Sequence, residues 1–362
     1  NDPKERTSTY KPWIDWMKAS GMSLIVFGHA GGQSLLPAIT HPINIKQLGV
    51  AFFVFIAGYT LAAEKRPPRI AVFTRYFDVA FWGLLTAFIL SVINWFRIGD
   101  INESNYLPYI LGINVLDNDF PANSTTWFSG CYFHLLVFGA CVLRRFTPTW
   151  RMFVLAAAIE LTIRAFVILL EREYTAYMLL TNWLLVLLLG YSIGSDHDAR
   201  RVKLAGKTLV GSSRARCWTG ALASAAALAV FAVVWTRLVR EQQITYSTTF
   251  GHFPKLDRYS SAAATSVSVS LQYCLYTLGF YQIAQALPYL RIVCFLARNT
   301  LIVFLIHMPI LLWSRSWLNA HLPTSWAQAF CNQLIYFVFL ACLSSLATSL
   351  LEPRRLRAWL GF

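Results

Sequence analysis

The sequence predicts an all-α, polytopic integral membrane bundle of about ten transmembrane helices with both termini cytoplasmic, and three observations predict it. Hydrophobic residues make up 56% of the 362 positions and charged residues only 13%, too little polar surface to cover a water-soluble core of this size. The apolar stretches are long and continuous, without the ten-residue alternation of a membrane β-barrel. All but nine of the 31 Lys and Arg fall on alternate connections beginning with the N-terminus, the asymmetry that the positive-inside rule expects when both ends are cytoplasmic. An odd number of spans would scramble it.

The first predicted span, 18–38, follows WIDWMKASG and carries Lys18 near its start and His29 further in. The second, 48–63, is the shortest and holds Gly49 and Gly58, which leaves a tilted, a broken or an only partly membrane-spanning passage open. The third, 70–96, follows the basic cluster Lys65, Arg66, Arg69 and Arg75. The remaining windows, 124–143, 150–170, 177–195, 216–236, 263–283, 290–313 and 326–350, each approach the roughly 20 residues that cross a hydrocarbon core. Thirteen Trp and sixteen Tyr suit two interfacial belts. Connections 97–123 and 237–262 are long, aromatic and polar, and are expected to form ordered caps at the outer face. Residues 1–17 and 351–362 read as cytoplasmic segments flanking one membrane domain, with no internal repeat and no Ser- or Gly-rich linker. The polar start NDPKERTSTYK shows no cleavable signal.

The same composition excludes several function classes. A net charge of +14 is accounted for by membrane orientation and calls for no nucleic acid. The basic connection 195–216 holds no phosphate-loop motif. The seven Cys are scattered through apolar segments without CxxC or zinc-ligand spacing, which predicts core filler and no metal.

Ionisable residues inside apolar segments cost about 2.5 to 3.5 kcal/mol each on insertion scales, so each calls for a reading. His29 lies about 16 Å along the helix axis from Lys18, near the midplane if Lys18 sits at the surface. A neutral imidazole there is either an intramembrane proton acceptor or a structural group bonded to a carbonyl. Lys18 is a snorkelling anchor or, with the 65–75 basic cluster, a holder of a polyanionic cytosolic ligand. Asp15 shares its helical face. Asp78 stands three residues after Arg75 and Glu160 four before Arg164, so both pairs are expected to neutralise themselves. His134 and His307 have no sequence partner.

Read in order, these residues resemble the membrane acyltransferase 3 family. The match consists of a basic residue, a ten-residue gap and a His (Lys18, His29), with Asp15 three positions before the basic residue. It continues in GVAFFVFIAGYTL from Gly49 to Leu61, which includes Tyr59, in Thr126, Trp127 and Phe128, and in RNTLIVFLIHMPIL from Arg298 to Leu311, which includes His307 and Pro309. Ala57 replaces the common Ser before Gly58, Phe304 stands where Tyr is frequent, and the Arg-x-x-Arg spacing of Arg66 and Arg69 falls in the connection. The family's appended esterase-like domain is not expected after residue 350.

The resemblance implies an acyl-CoA-dependent O-acyltransferase, most commonly acetyl-CoA-dependent and without a metal. Its acceptor is a hydroxyl of a sugar, glycan or lipid-linked sugar of a bacterial cell envelope, and its setting is the cytoplasmic membrane and its lipids. It implies His29 as general base and acyl-CoA phosphates near Lys18, Arg66, Arg69 and Arg75. Asp15, Asp78, Glu160, Tyr59 and His307 would support these, with Trp127 and His134 as acceptor contacts. A covalent acyl-enzyme stays open. The rival from another class is a proton-coupled transporter or flippase for a sugar or lipid-linked sugar, which would use the same buried groups as a relay.

Overall fold

The computed structural model describes residues 11–29, 41–99, 105–117, 120–121, 123–204, 214–246, 249–321 and 326–350. The expected tail 351–362 and the first ten residues of the N-terminal segment lie outside them. The helices are α1 (Pro12–His29), α2 (Ile45–Ala62), α3 (Pro68–Ile98), the short α4 (Tyr106–Ile110) and α5 (Asn114–Asp117), α6 (Trp127–Cys141), α7 (Trp150–Leu169), the short α8 (Glu173–Met178), α9 (Leu184–Leu204), α10 (Arg214–Gln242), α11 (Arg258–Ala286), α12 (Arg291–His321) and α13 (Trp326–Leu350). One antiparallel hairpin, β1 (Thr245–Tyr246) and β2 (Gly251–His252), pairs Thr245 with His252.

Each of the ten predicted windows falls on a helix, and an all-α membrane bundle results. Six helices among the described residues are long and apolar enough to cross a membrane: Ile45–Ala62, Pro68–Phe96, Ser124–Arg145, Trp150–Leu169, Cys217–Gln242 and Arg291–Leu311. Two more, Leu180–Ser195 and Ile335–Ser349, are apolar over a shorter described stretch, and α11 is more polar for a physical reason. In α11, Thr265, Ser266, Gln272 and Thr277 are buried against neighbouring helices, where polar groups find partners. In α10, Leu222, Val230, Val233 and Val234 face outward, where only apolar side chains are cheap.

Two boundaries depart from expectation. α1 begins at Pro12 and its described part ends at His29, so Lys18 is in its second turn; 30–38 lie outside the described residues. The sixth window begins as a helix only at Leu184, after α8 and a 3-10 turn over Leu180–Trp183.

The second span is neither broken nor short of a helix. It is continuous, and its glycines serve close packing: a Cβ on Gly49 would stand 2.2 Å from the Gly21 carbonyl of α1, and one on Gly58 2.1 Å from the Leu187 carbonyl of α9. Thus α1 and α2 lie in mutual contact at the centre, with Met17, Met22, Ile25, Phe52 and Phe55 buried between α9, α11 and α12.

Glu160 and Arg164 pair as expected, at 2.6 Å and without exposure. Their remaining capacity is satisfied by Asn182, Ser270, the Ser266 carbonyl and the Leu185 amide, which ties α7 to α9 and α11. Glu160 thus clasps α7 to α9 and α11.

The bundle has two distinct ends. At the basic end, Arg144 donates to the Arg66 carbonyl and Trp16 to the Pro288 carbonyl. At the hairpin end, the loop before α2 is fastened by Gly251 N to the Pro42 carbonyl and by Gln272 and Trp235 to the His41 carbonyl. Asn44 caps α2 by accepting from the Lys46 amide. Of the expected outer caps, 97–123 contributes α4 and α5 and 237–262 the hairpin; residues 100–104, 118–119, 122 and 247–248 lie outside the described residues.

Candidate active site

The centre of the site is a cavity of about 150 Å³ at the hairpin end, lined by His29 of α1, Lys46, Gln47 and Val50 of α2, Thr125 and Trp127 at the start of α6, Tyr174 and Tyr177 of α8, and Phe304 and His307 of α12. The rings of His29 and His307 are 5.1 Å apart between centroids. His29 thus stands beside the starts of α2 and α6.

The folding of α12 around Pro309 explains how this cavity is built. Proline has no N–H, so the Leu305 carbonyl four residues earlier loses its helical donor. It accepts from Asn123 Nδ2 at 2.7 Å instead, with Thr125 Oγ1 3.3 Å away, which fastens the 3-10 turn Ser124–Thr126 before α6 to α12. One turn on, His307 Nδ1 lies 2.6 Å from the Phe304 carbonyl. A carbonyl only accepts, so this bond puts the proton on Nδ1 and leaves Nε2 as the basic nitrogen. Nε2 is buried and has no hydrogen-bond partner among the described residues.

Other polar groups of the cavity are held by the scaffold. Gln47 donates to the Thr249 carbonyl at 2.8 Å and accepts from Tyr273 at 2.9 Å. Thr125 donates to Asn123 at 2.7 Å. No carboxylate lines the cavity among the described residues. Trp127 is buried at its wall, set against Tyr177 at 4.8 Å.

Three further cavities join this one through shared side chains. Val50 and Phe304 also line a cavity of about 370 Å³, together with Lys18, Thr60, Arg75 and Tyr132. Lys18, Thr300 and Leu301 pass from that cavity into one of about 1250 Å³ at the basic end, lined also by Asp78, Trp82, Tyr289, Arg291 and Arg298. On the opposite side Tyr174 is shared with a vestibule of about 800 Å³ containing Glu171, Arg172, Glu173, His252 and Arg258. There Glu173 pairs with His252 at 2.9 Å and Glu171 with Arg258 at 3.2 Å. Through these shared walls the four spaces are neighbours in the order basic end, Lys18, His29, Tyr174.

The predicted site residues divide on this geometry. Lys18, Arg75, Asp78, His29, His307 and Trp127 line the run of cavities. Asp15 is half-buried and close enough to act on the Lys18 charge. Arg66 and Arg69 are exposed and line none of the four cavities. Tyr59 accepts from Lys11 and packs edge-on against Trp13, anchoring the start of α1. His134 is turned toward the Gly112 backbone, away from the site.

The basic cluster at 65–75 is reorganised by an acid that sequence reasoning passed over. Glu64 binds Arg66 at 2.7 Å and Arg75 at 3.1 Å, and Arg75 also donates to Thr60 Oγ1 at 2.8 Å. Arg66 first, then Arg75, holds the Glu64 carboxyl down at about 2. Arg75 is thereby aimed at Glu64 and not, as its spacing suggested, at Asp78.

Arg291 and Arg298 were also missed. Their seven-residue spacing puts them on one face of α12, a signal hidden because both fit the orientation rule. Lys46 gave the opposite signal, a cation on the side where few occur.

Among the described residues no group of His, Cys, Asp or Glu is gathered so as to hold a metal. No curated protein and no solved structure matches the chain. The acyltransferase domain model, Acyl_transf_3, matches residues 11–351, nearly the whole sequence and every wall of the four cavities. The chain therefore belongs to the membrane acyltransferase 3 family.

Proposed function

We propose that this chain moves a short acyl group, acetyl above all, from cytosolic acyl-CoA to a hydroxyl of a sugar, glycan or lipid-linked sugar at the outer side of a bacterial cytoplasmic membrane. The reading includes ten spans with both termini cytoplasmic, as the Lys and Arg asymmetry favours. One observation carries it: the basic-end cavity, the Lys18 passage, the two-histidine cavity and the outer vestibule follow one another through shared residues. A donor on one side and an acceptor on the other meet at His29 without either crossing.

In this reading the CoA phosphates lie in the large basic-end cavity, near Arg291, Arg298 and Lys18, and the thin pantetheine arm occupies the passage beside Thr60 and Arg75. The thioester lies beside His29 and His307. A cavity of about 150 Å³ takes a group about the size of benzene, which suits acetyl. His29 takes the proton of the acceptor hydroxyl as its oxygen attacks the carbonyl. His307, its tautomer fixed by Phe304, offers a second nitrogen base in contact with the same space. Trp127 stands at the wall where the acceptor arrives.

Mass spectrometry of envelope glycans tests the reading. Cells lacking the protein are expected to lose an O-acyl ester that wild-type protein restores and His29→Ala does not; glycans unchanged by its removal contradict it.

A further inference from the structure

We propose that Lys46 is a catalytic residue whose ammonium group holds the oxyanion formed when the thioester carbonyl is attacked. The inference rests on the acyl-transfer reading of the cavity and deepens it.

Lys46 lies in the first turn of α2 and lines the 150 Å³ cavity together with His29 and His307. Its backbone is fixed by the Asn44 cap, with Lys46 N donating to Asn44 Oδ1 at 3.1 Å. Its stem is fixed by Gly28: a Cβ there would come within 2.9 Å of Lys46 Cβ, so α1 and α2 can approach this closely only with glycine beside His29. The ammonium is near enough for its charge to act on both imidazoles. It has no hydrogen-bond or ion-pair partner among the described residues, and no described lining residue is a carboxylate.

A cation held beside two bases and without a counter-ion among the described residues suits a negative charge that exists only during the reaction. Any resident carboxylate would compete for it. The neighbouring donors Gln47 and Thr125 are engaged by Thr249, Tyr273 and Asn123, so Lys46 is the charged group of this cavity left to meet an anion.

The step balances without a further reactant. The acceptor oxygen forms a bond to the thioester carbon, and its proton passes to an imidazole nitrogen. The carbonyl π electrons move to oxygen, beside the Lys46 ammonium. Collapse re-forms the carbonyl and breaks the C–S bond, and the CoA thiolate takes the proton back from the imidazolium. Lys46 ends as it began.

The test uses the full chain in phosphatidylethanolamine and phosphatidylglycerol vesicles, acetyl-CoA as donor, and methyl hexopyranosides or water as acceptor, with release of the CoA thiol as readout. Lys46→Met is expected to lower kcat about 100-fold with KM for acetyl-CoA unchanged, and Lys46→Arg to recover part of the loss. Ethylammonium added to Lys46→Ala is expected to raise its kcat, a rescue that a packing role would not give. Wild-type kcat in Lys46→Met, a loss confined to KM, or no response of Lys46→Ala to the amine overturns the role of Lys46. A wild-type protein that releases no CoA overturns the acyl-transfer reading and this role with it.

Discussion

His29 and His307 come from helices at opposite ends of the chain, yet their rings stand 5.1 Å apart in one cavity. The Phe304 carbonyl sets the tautomer of the second ring, so the pair is built by the backbone of α12 as much as by its side chains. If both nitrogen bases serve proton transfer, His307→Gln should lower kcat for acetyl transfer by about 10²- to 10⁴-fold. CoA affinity, measured by calorimetry, should not change, because His307 lies beyond the passage that holds the arm.

Val50 and Phe304 line both the passage and the two-histidine cavity, and in this reading the neck between the two lies there. Val50→Trp should close it. Binding of CoA to the basic-end cavity is expected to persist while acetyl transfer falls below detection. Loss of both together would mean that the cavities are not joined there.

At the basic end, Arg291 and Arg298 line the large cavity while Arg69 does not. Arg298→Ala and Arg291→Ala are each expected to weaken CoA binding about tenfold or more, by removing a charge-assisted phosphate contact. Arg69→Ala should leave it unchanged. Raising salt should narrow the difference between wild type and Arg298→Ala, since the lost contact is electrostatic and Arg298 is exposed.

The Glu64 clasp makes a prediction in pH. Its carboxyl titrates at about 2 in the folded protein, against 4.5 for the free side chain, so its contribution to stability is complete above about pH 4.5 and is lost as pH falls toward 2. Glu64→Gln should therefore unfold in detergent at a temperature lower than wild type by a constant margin from pH 8 to pH 5. Below that the margin should shrink.

Glu160 and Arg164 are fully buried partners, and removing one leaves the other charged without compensation. Glu160→Ala is expected to destabilise the bundle by about 3 to 5 kcal/mol. Denaturant titration in mixed micelles measures it; a change under 1 kcal/mol would show that the network is dispensable.

Much of this bundle is legible in the sequence because helices that cross a membrane must be apolar over their length, and α2, α3, α6, α7, α10 and α12 obey that rule plainly. Lys18, His29 and His307 were legible as ionisable residues in apolar surroundings, and Glu160 with Arg164 by helical spacing. What stayed hidden depended on packing between distant segments. Nothing local in the sequence says that Glu64 claims Arg75, that Pro309 frees a carbonyl for Asn123, or that Gly49 brings α2 onto Gly21. Lys46 was visible only as an exception to the charge asymmetry, and its meaning required the cavity.

The central claim is that a donor at the Lys18 end reaches an acceptor at the Tyr174 end through His29. The most direct measurement uses vesicles with the basic end outward, labelled acetyl-CoA supplied outside and methyl hexopyranosides enclosed in the lumen. The account predicts labelled ester inside the vesicles with wild-type protein and none with His29→Ala. Full lumenal labelling by His29→Ala, or label confined to acceptors on the acetyl-CoA side, would contradict it.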